Sequence, residues 1–265
     1  MELGPSKSVV VRRVSSTTNE ERPDEVIVEE PLSIRLDGTL VATTMRTPGN
    51  DFELAVGFLH AEGMLEGAEI QTVRHCGEAT TTASKFNTVS VDTACTAPPP
   101  TPRLGSTSSS CGICGTEAIE TLTERLVTLP EGPAVDPMLM IDVANRVRDK
   151  QELFARTGSV HAAAAFDASG TILLVREDIG RHNAVDKVVG RLAIDEALPT
   201  PGELALYVSG RASFEMVQKA WAAGFGTVVS VSAPSALAID TALAANIELA
   251  GFIRDDEINI YSPRG

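Results

Sequence analysis

From about residue 138 onward, segments with strand and helix periodicity alternate along the chain. Strands are predicted at 161–166, 171–175, 204–208, 227–231 and 257–261, and helices at 142–156, 183–194, 214–223 and 235–245. Helices of this length that separate strands must pass over a sheet and cover its faces. The alternation therefore predicts an α/β fold, in which a layered α/β/α domain surrounds a mostly parallel sheet. Its first two strands, joined through Ala168-Ser169-Gly170, are predicted to be antiparallel.

The chain before this alternation predicts a smaller α+β domain over residues 1–92. Residues 1–25 are polar, with one short strand predicted at Ser8–Val14. The dipeptide Asp37-Gly38 is a hairpin signal between two strands of the 25–47 segment. A further strand is expected at 88–91. An amphipathic helix is expected over 52–65, with one face formed by Phe52, Val56, Leu59 and Leu65.

A segment rich in Pro, Ser and Thr, residues 93–115, predicts a flexible, exposed linker. It leads into Cys111-Gly112-Ile113-Cys114-Gly115 and then into a helix predicted over 116–126, with Thr116 as its cap. The third predicted unit, residues 116–265, is the α/β/α domain and the expected ligand-binding domain.

Composition narrows the classes of function. The net charge of −14 opposes binding to nucleic acid polymers or anionic membranes, which require a basic face. Four cysteines in 265 residues are too few for a disulfide scaffold. The amino terminus has no signal-peptide pattern, and no apolar run reaches the roughly 20 residues of a membrane span. We therefore expect a cytoplasmic protein with reduced thiols.

The Cys-x-x-Cys pair is the first candidate for chemistry. A following helix would direct unpaired amides at the loop and favour the reactive thiolate of Cys111 or Cys114. Sulfur transfer or redox chemistry, half of a zinc site, and no role at all remain open on the residues alone. A second cysteine pair, which a structural zinc site usually needs, is absent from the sequence.

The second candidate is a set of three predicted strand-to-helix junctions, at residues 176–183, 209–213 and 232–235 in chain order. In α/β folds, ligands bind where strands end, and helix N-termini attract anions. The polar and glycine residues of these junctions predict a site for an anionic ligand, formed by Arg181, His182, Lys187, Ser209, Gly210, Arg211 and Ser213. His161 is either a satisfied core histidine or a site residue, and His182 either caps a helix or belongs to the site.

Several longer motifs, in order along the chain, resemble those of the formate dehydrogenase accessory protein family, FdhD. They are Arg46-Thr47-Pro48-Gly49, Gly57-Phe58-Leu59, Ser110-Cys111-Gly112-Ile113-Cys114-Gly115, Thr157-Gly158-Ser159-Val160-His161, Glu177-Asp178-Ile179-Gly180-Arg181-His182-Asn183, Ser209-Gly210-Arg211-Ala212-Ser213 and Ala250-Gly251-Phe252-Ile253-Arg254. Together these motifs are far more specific than the cysteine pair alone.

The resemblance implies a sulfurtransferase that takes sulfur from a cysteine desulfurase as a persulfide. It then passes the sulfur to the molybdenum cofactor, in its bis-molybdopterin guanine dinucleotide form, before insertion into formate dehydrogenase. Cys111 would carry the persulfide and Cys114 would be its less essential neighbour. A cytidine deaminase-like larger domain and a homodimer are also implied, as is binding of a guanine nucleotide as a partial mimic of the cofactor.

The resemblance further assigns cofactor binding to the segment Phe252, Ile253, Arg254, Asp255, Asp256 and Glu257. Here the chain departs from the family, which is expected to have glycine and a second basic residue after Arg254. Three carboxylates oppose direct contact of 255–257 with phosphate, whereas Arg254 suits it. The catalytic glutamate of zinc deaminases is also missing after His161, where Ala162-Ala163 stands.

Two other functions compete with sulfur transfer. A cofactor chaperone without sulfur chemistry would keep its activity when both thiols are lost. A zinc-dependent enzyme acting on nucleosides would contain the metal after purification.

Overall fold

A computed structural model describes residues 4–76, 86–100 and 127–264. It begins with an antiparallel hairpin of β1 (Ser6–Val14) and β2 (Asn19–Ile27). Residues 1–25 were expected to contain only the strand at 8–14, and β2 corrects that expectation. This strand was missed because its sequence, Asn-Glu-Glu-Arg-Pro-Asp-Glu-Val-Ile, has almost no apolar alternation.

The next strands form a four-stranded sheet in the order β4-β3-β6-β5. Their bounds are β3 Glu30–Leu36, β4 Thr39–Arg46, β5 Thr72–His75 and β6 Thr88–Asp92. Asp37 and Gly38 both have positive φ and form the predicted turn between β3 and β4. Helix α1 (Asp51–Ala61) covers this sheet and ends earlier than predicted. Phe52, expected on its buried face, is exposed.

The larger sheet has six strands in the order β12-β11-β10-β9-β7-β8. They are β7 His161–Asp167, β8 Ile172–Asp178, β9 Leu204–Val208, β10 Thr227–Ser230, β11 Glu248–Arg254 and β12 Glu257–Ser262. The helices of this part are α2 Pro137–Asp149, α3 Glu152–Thr157, α4 Arg181–Ile194, α5 Phe214–Ala223 and α6 Ala236–Ala245. The single helix predicted over 142–156 is thus two helices, and β11 was missed.

Small buried side chains let β7 lie between two layers of helices. Ala162, Ala164 and Phe166 pack with α2 on one face of the sheet. Ala163 and Ala165 point the other way, into the core formed with α4, α5 and α6. This alternation follows from the two-residue period of a strand. None of the described helices is long and apolar enough to cross a membrane.

The large sheet is mixed, which corrects the prediction of a mostly parallel one. β9, β10 and β11 are parallel, but β7 is antiparallel to both β8 and β9, and β12 is antiparallel to β11. Because β7 is reversed, β8 points in the same direction as β9. The last residues of β8, β9, β10 and β11 therefore meet at one end of the sheet, together with the first residues of β7 and β12. We call this the carboxyl end of the sheet.

Helices α1 and α4 join the two sheets by crossing with their backbones in contact. A Cβ atom placed on Gly57 would lie 1.8 Å from the carbonyl oxygen of Asp186, and one on Gly190 would lie 1.8 Å from that of Glu53. Only glycine fits at these two positions. Beside this crossing, Arg176 pairs with Glu53 at 2.5 Å.

The chain on either side of residues 101–126 is held by hydrogen bonds. The Thr93 amide and hydroxyl donate to the Asp37 carboxylate at 2.7 and 2.6 Å. On the other side, the Trp221 indole donates to the Val127 carbonyl at 2.8 Å. Thr93 and Val127 are therefore fixed points of the fold on the two sides of this range.

Candidate functional site

A cavity of about 570 Å³ opens at the carboxyl end of the sheet, on the side of α2 and α3. Its polar lining comes from helix residues, strand ends and the β11–β12 turn, namely Asn145, Arg148, Gln151, Ser159, His161, Tyr207, Ser209 and Asp255. Its apolar lining includes Phe154, Ile179, Val231 and Ile253. Cavities of this size and mixed lining are typical of small-ligand sites.

The start of β7 and the end of β9 place His161 beside Ser209 in this cavity. The Ser209 hydroxyl accepts a hydrogen bond from the Ala162 amide at 2.9 Å, and it lies 3.4 Å from His161 Nδ1. Burial lowers the pKa of His161 below 6.5, and the nearby Arg181 and His182 lower it further. His161 is therefore a neutral imidazole at physiological pH and lines the cavity rather than the core.

Gly210 brings two of the predicted junctions into contact. A Cβ atom at this position would lie 3.3 Å from Arg181 Cδ and 3.6 Å from two atoms of the His161 ring. The Gly210 carbonyl also accepts the Ser230 hydroxyl, at the end of β10, at 2.7 Å. The predicted convergence of these junctions is thus present in the fold.

Asp178, at the end of β8, organises the first junction from inside the protein. Its carboxylate accepts the amides of Thr47 and Gly180 and the side-chain amide of Asn183. It also pairs with Lys187 at 2.8 Å, and both side chains are buried. The ammonium group of Lys187 is therefore neutralised inside the fold, and Lys187 does not line the cavity. Its contact with an anionic ligand stays a prediction.

His182 and Ser213 lie at the starts of α4 and α5, respectively. His182 pairs with Glu215 between the first turns of α4 and α5, and does not line the cavity. Ser213 stands at the N-cap of α5, but its hydroxyl makes no capping hydrogen bond. Arg211 is exposed at the carboxyl end.

The predicted segment 252–257 contributes to the cavity through Ile253 and Asp255. Arg254 donates to the Ile253 carbonyl and lies over the ring of Phe252 at 4.5 Å. Asp255 has a positive φ of 47° in the turn between β11 and β12. A glycine suits that conformation best, which agrees with the glycine expected at this point in the family. Asp256 completes the turn and Glu257 begins β12.

Sequence reasoning missed the contribution of α2 to the cavity. Asn145 and Arg148 lie one helical turn apart and place an amide and a guanidinium at the cavity, while Gln151 follows in the connection to α3. Tyr207 lines the same wall, and burial raises its pKa to about 12. The only available signal was that Asn145 and Arg148 share one helical face.

Cys111 and Cys114 lie outside the described residues, as does the predicted helix 116–126. Within the part of the chain that the structure describes, no three His, Cys, Asp or Glu side chains gather closely enough to hold a metal ion.

Sequence comparison finds a family model and several known proteins that match this chain over most of its length. The model of the FdhD/NarQ family matches residues 27–265. "Sulfur carrier protein FdhD" of Streptomyces avermitilis is 44% identical over 260 residues, covering 95% of this chain and 92% of the relative. The protein of the same name in Mycobacterium tuberculosis is 45% identical over 262 residues, covering 95% of each chain.

One solved structure is similar over nearly the whole chain. It is a crystal structure from Desulfotalea psychrophila, described as that of a formate dehydrogenase accessory protein, with a TM-score of 0.79 and coverage of 98% of both chains. At 22% sequence identity, this likeness supports the fold alone.

Proposed function

This chain belongs to the FdhD/NarQ family, and from that premise we propose that it is a sulfur carrier in the maturation of a formate dehydrogenase. The observation that carries the proposal is the 44–45% identity, over 95% of the chain, to relatives named as sulfur carriers. Identity that extends over both sheets and the segment between them favours a shared function.

The proposed sulfur step uses Cys111 and Cys114, which in the sequence follow the last strand of the small sheet and precede the first strand of the large one. The Cys111 thiolate attacks the outer sulfur of a persulfide on a cysteine desulfurase. A new S–S bond forms on Cys111 as the desulfurase thiolate leaves. Attack by the Cys114 thiolate on the inner sulfur of Cys111 then forms a disulfide and releases the outer sulfur as sulfide. The cysteine pair supplies both electrons for that reduction.

The proposed acceptor is the molybdenum cofactor in its bis-molybdopterin guanine dinucleotide form, bound as a substrate. The cavity supports this acceptor because about 570 Å³ suits one nucleotide arm. Arg148 supplies a cation within the cavity, while Arg181 and Arg211 lie at the adjoining helix starts. His161 and Ser209 offer uncharged polar groups beside them. A cytoplasmic homodimer is part of the same proposal.

Persulfide loading tests the sulfur step. After incubation with a cysteine desulfurase and cysteine, mass spectrometry should locate an additional sulfur atom on the peptide containing Cys111. We expect Cys111→Ala to abolish both the adduct and the activation of formate dehydrogenase. Cys114→Ala should do less harm, because it keeps the adduct and loses only the intramolecular release, which free cysteine can replace by attacking the persulfide. Cys95→Ala, which removes an exposed thiol elsewhere, is the matched control.

The outcomes separate the candidate functions. An adduct that persists in Cys111→Ala but is lost in Cys114→Ala would exchange the two roles. Full activation by Cys111→Ala, with no adduct on the unmodified chain, would leave only a cofactor chaperone.

Binding of a guanine nucleotide tests the acceptor site. Replacing Arg211 by alanine should weaken binding of GDP by about 1.5–3 kcal/mol, the scale for a hydrogen bond to a charged group. Arg148→Ala should have a similar effect if the phosphates enter the cavity. Arg191→Ala is the control, because Arg191 is exposed on the last turn of α4 and pairs with Asp195. Calorimetric affinities for GDP that are equal in all four proteins would exclude this site.

A further inference from the structure

Neither outer edge of the β1–β2 hairpin is occupied by another described strand. The hairpin forms a two-stranded sheet of its own, in which β1 pairs with β2 alone. Isolated two-stranded hairpins are marginally stable in water, and an unpaired strand edge is a template for another strand. The family match begins at residue 27, so most of this hairpin precedes the region that the family model describes.

The hydrogen-bond register shows which backbone groups of β1 are available. At the root, the Val28 amide donates to the Pro5 carbonyl, and at the tip the Ser15 amide donates to the Thr18 carbonyl. These two bonds involve residues 5 and 15, which flank β1. Because hydrogen-bonded and non-hydrogen-bonded pairs alternate along an antiparallel ladder, the odd-numbered residues 7, 9, 11 and 13 bond to β2. The amides and carbonyls of residues 6, 8, 10, 12 and 14 therefore point away from β2.

The outer edge of β2 is less able to pair with an added strand. Pro23 stands opposite Val10, at a position where the backbone amide would point outward, and proline has no amide hydrogen to donate. The root of β2 is also tied to α3, since Arg156 donates to Glu25 and to the Ser6 hydroxyl. Strand addition is thus open at β1 and hindered at β2.

The charge on β1 specifies the chemistry of a partner. Residues 4–14 include Lys7, Arg12 and Arg13 and no acidic residue, although the whole chain has a net charge of −14. Val10 and Val14 are 73% and 66% exposed, and they share one face of the strand with Arg12. Lys7 and Arg13 share the opposite face with Val9 and Val11. An added strand would thus lie beside both valine and basic side chains of β1 on each face, and beside no acidic side chain of β1.

We propose that the free edge of β1 binds an extended acidic segment of a partner protein as a third strand. A second copy of this chain is the weaker occupant. If two β1 strands paired about Val10, Lys7 of each would face Arg13 of the other, and like charges in direct opposition are destabilising. This inference is independent of the proposed sulfur chemistry, because it rests on the hairpin alone.

Titration of the full-length protein with a short peptide of alternating valine and glutamate tests the proposal. Such a peptide can place its valines beside Val10 and Val14 and its carboxylates beside Lys7 and Arg13. Amide hydrogen exchange, followed by NMR, should show new protection at residues 8, 10 and 12. Residues 9 and 11, already bonded to β2, should change little.

The variant Val10→Pro removes one outward amide without removing a hydrogen bond to β2. We expect it to weaken peptide binding about tenfold, as for the loss of one hydrogen bond, while Val10→Thr binds normally. Retained protection of residues 9 and 11 in Val10→Pro would show that the hairpin still folds.

Three results would overturn the proposal. The acidic peptide could leave residues 8, 10 and 12 unprotected at millimolar concentration. A matched peptide with lysine in place of glutamate could bind equally well. Finally, the same amides could become protected as the protein concentration alone is raised, together with dimerisation in sedimentation equilibrium, which would identify the occupant as a second copy.

Discussion

At the scale of single residues, helix α4 carries two ion pairs with opposite environments. Lys187 and Asp178 are 1% and 0% exposed, whereas Arg191 and Asp195 are 43% and 44% exposed. Removing one partner of a buried pair leaves an uncompensated charge and costs about 3–5 kcal/mol, while an exposed pair contributes about 0–1 kcal/mol. We therefore expect Asp178→Asn to lower the free energy of unfolding severalfold more than Asp195→Asn.

Urea unfolding of the two variants, followed by circular dichroism, measures this difference. The comparison is matched because each change replaces an aspartate that pairs with a cation of the same helix. Similar midpoints for both variants would contradict the role assigned to Asp178 in fixing the first junction.

At the scale of elements, the crossing of α1 and α4 reverses the usual preference for alanine over glycine inside a helix. Alanine normally stabilises a helix interior relative to glycine by roughly 0.5–1 kcal/mol. At Gly57, however, a methyl group would lie 1.8 Å from a backbone carbonyl of α4. We expect Gly57→Ala to destabilise the protein by about 1–3 kcal/mol or more, the scale of an overpacked core.

Thermal unfolding checks the sign of this effect. Gly4→Ala is the control, since the nearest atom to a Cβ there is 3.9 Å away. A raised melting temperature for Gly57→Ala would show that the helices can separate without cost.

At the scale of the whole molecule, His60 makes stability depend on pH. Its Nε2 atom lies 3.1 Å from the Ala222 carbonyl, which links α1 to α5, and burial lowers its pKa below 6.5. As the pH falls below about 6.5, the unfolded chain binds a proton that folded His60 resists, so stability falls.

The variant His60→Gln isolates this contribution because it keeps an amide donor and removes the titration. Between roughly pH 7 and pH 5, the wild type should lose more stability than His60→Gln. Burial raises the pKa of Asp186 to about 6, which acts in the opposite direction but equally in both proteins. Parallel stability curves would show that His60 does not contribute.

The alternation of strands and helices predicted five of the six strands of the larger sheet, all but β11, because their apolar periods are clear. β9 and α5 have the predicted bounds. The antiparallel pairing of β7 with β8 was predicted from their short connection and is confirmed. That β7 also runs antiparallel to β9 was not predictable, since the period of a strand carries no information on its direction. β2 was missed because a charged, exposed strand shows no apolar face.

For the site, the turn motifs predicted which strand ends converge, as Gly210, Arg181 and His161 illustrate. Sequence could not separate a charge that is paired inside the fold from one that lines the cavity, as the buried pair of Lys187 with Asp178 illustrates. Arg148 was missed because no turn motif marks the end of α2 that lines the cavity.

The positions of Thr93 and Val127 set an upper limit on the distance between the Cys111 thiol and the fold. Cys111 is 18 residues after Thr93 and 16 residues before Val127 in the sequence. An extended chain spans at most about 3.6 Å per residue, so the thiol lies within roughly 65 Å of Thr93 and roughly 60 Å of Val127, whatever path the backbone takes. In the proposed sulfur relay, donor and acceptor must therefore both come within these two distances. A deletion between Thr93 and Cys111 should shorten the first limit and leave the second unchanged.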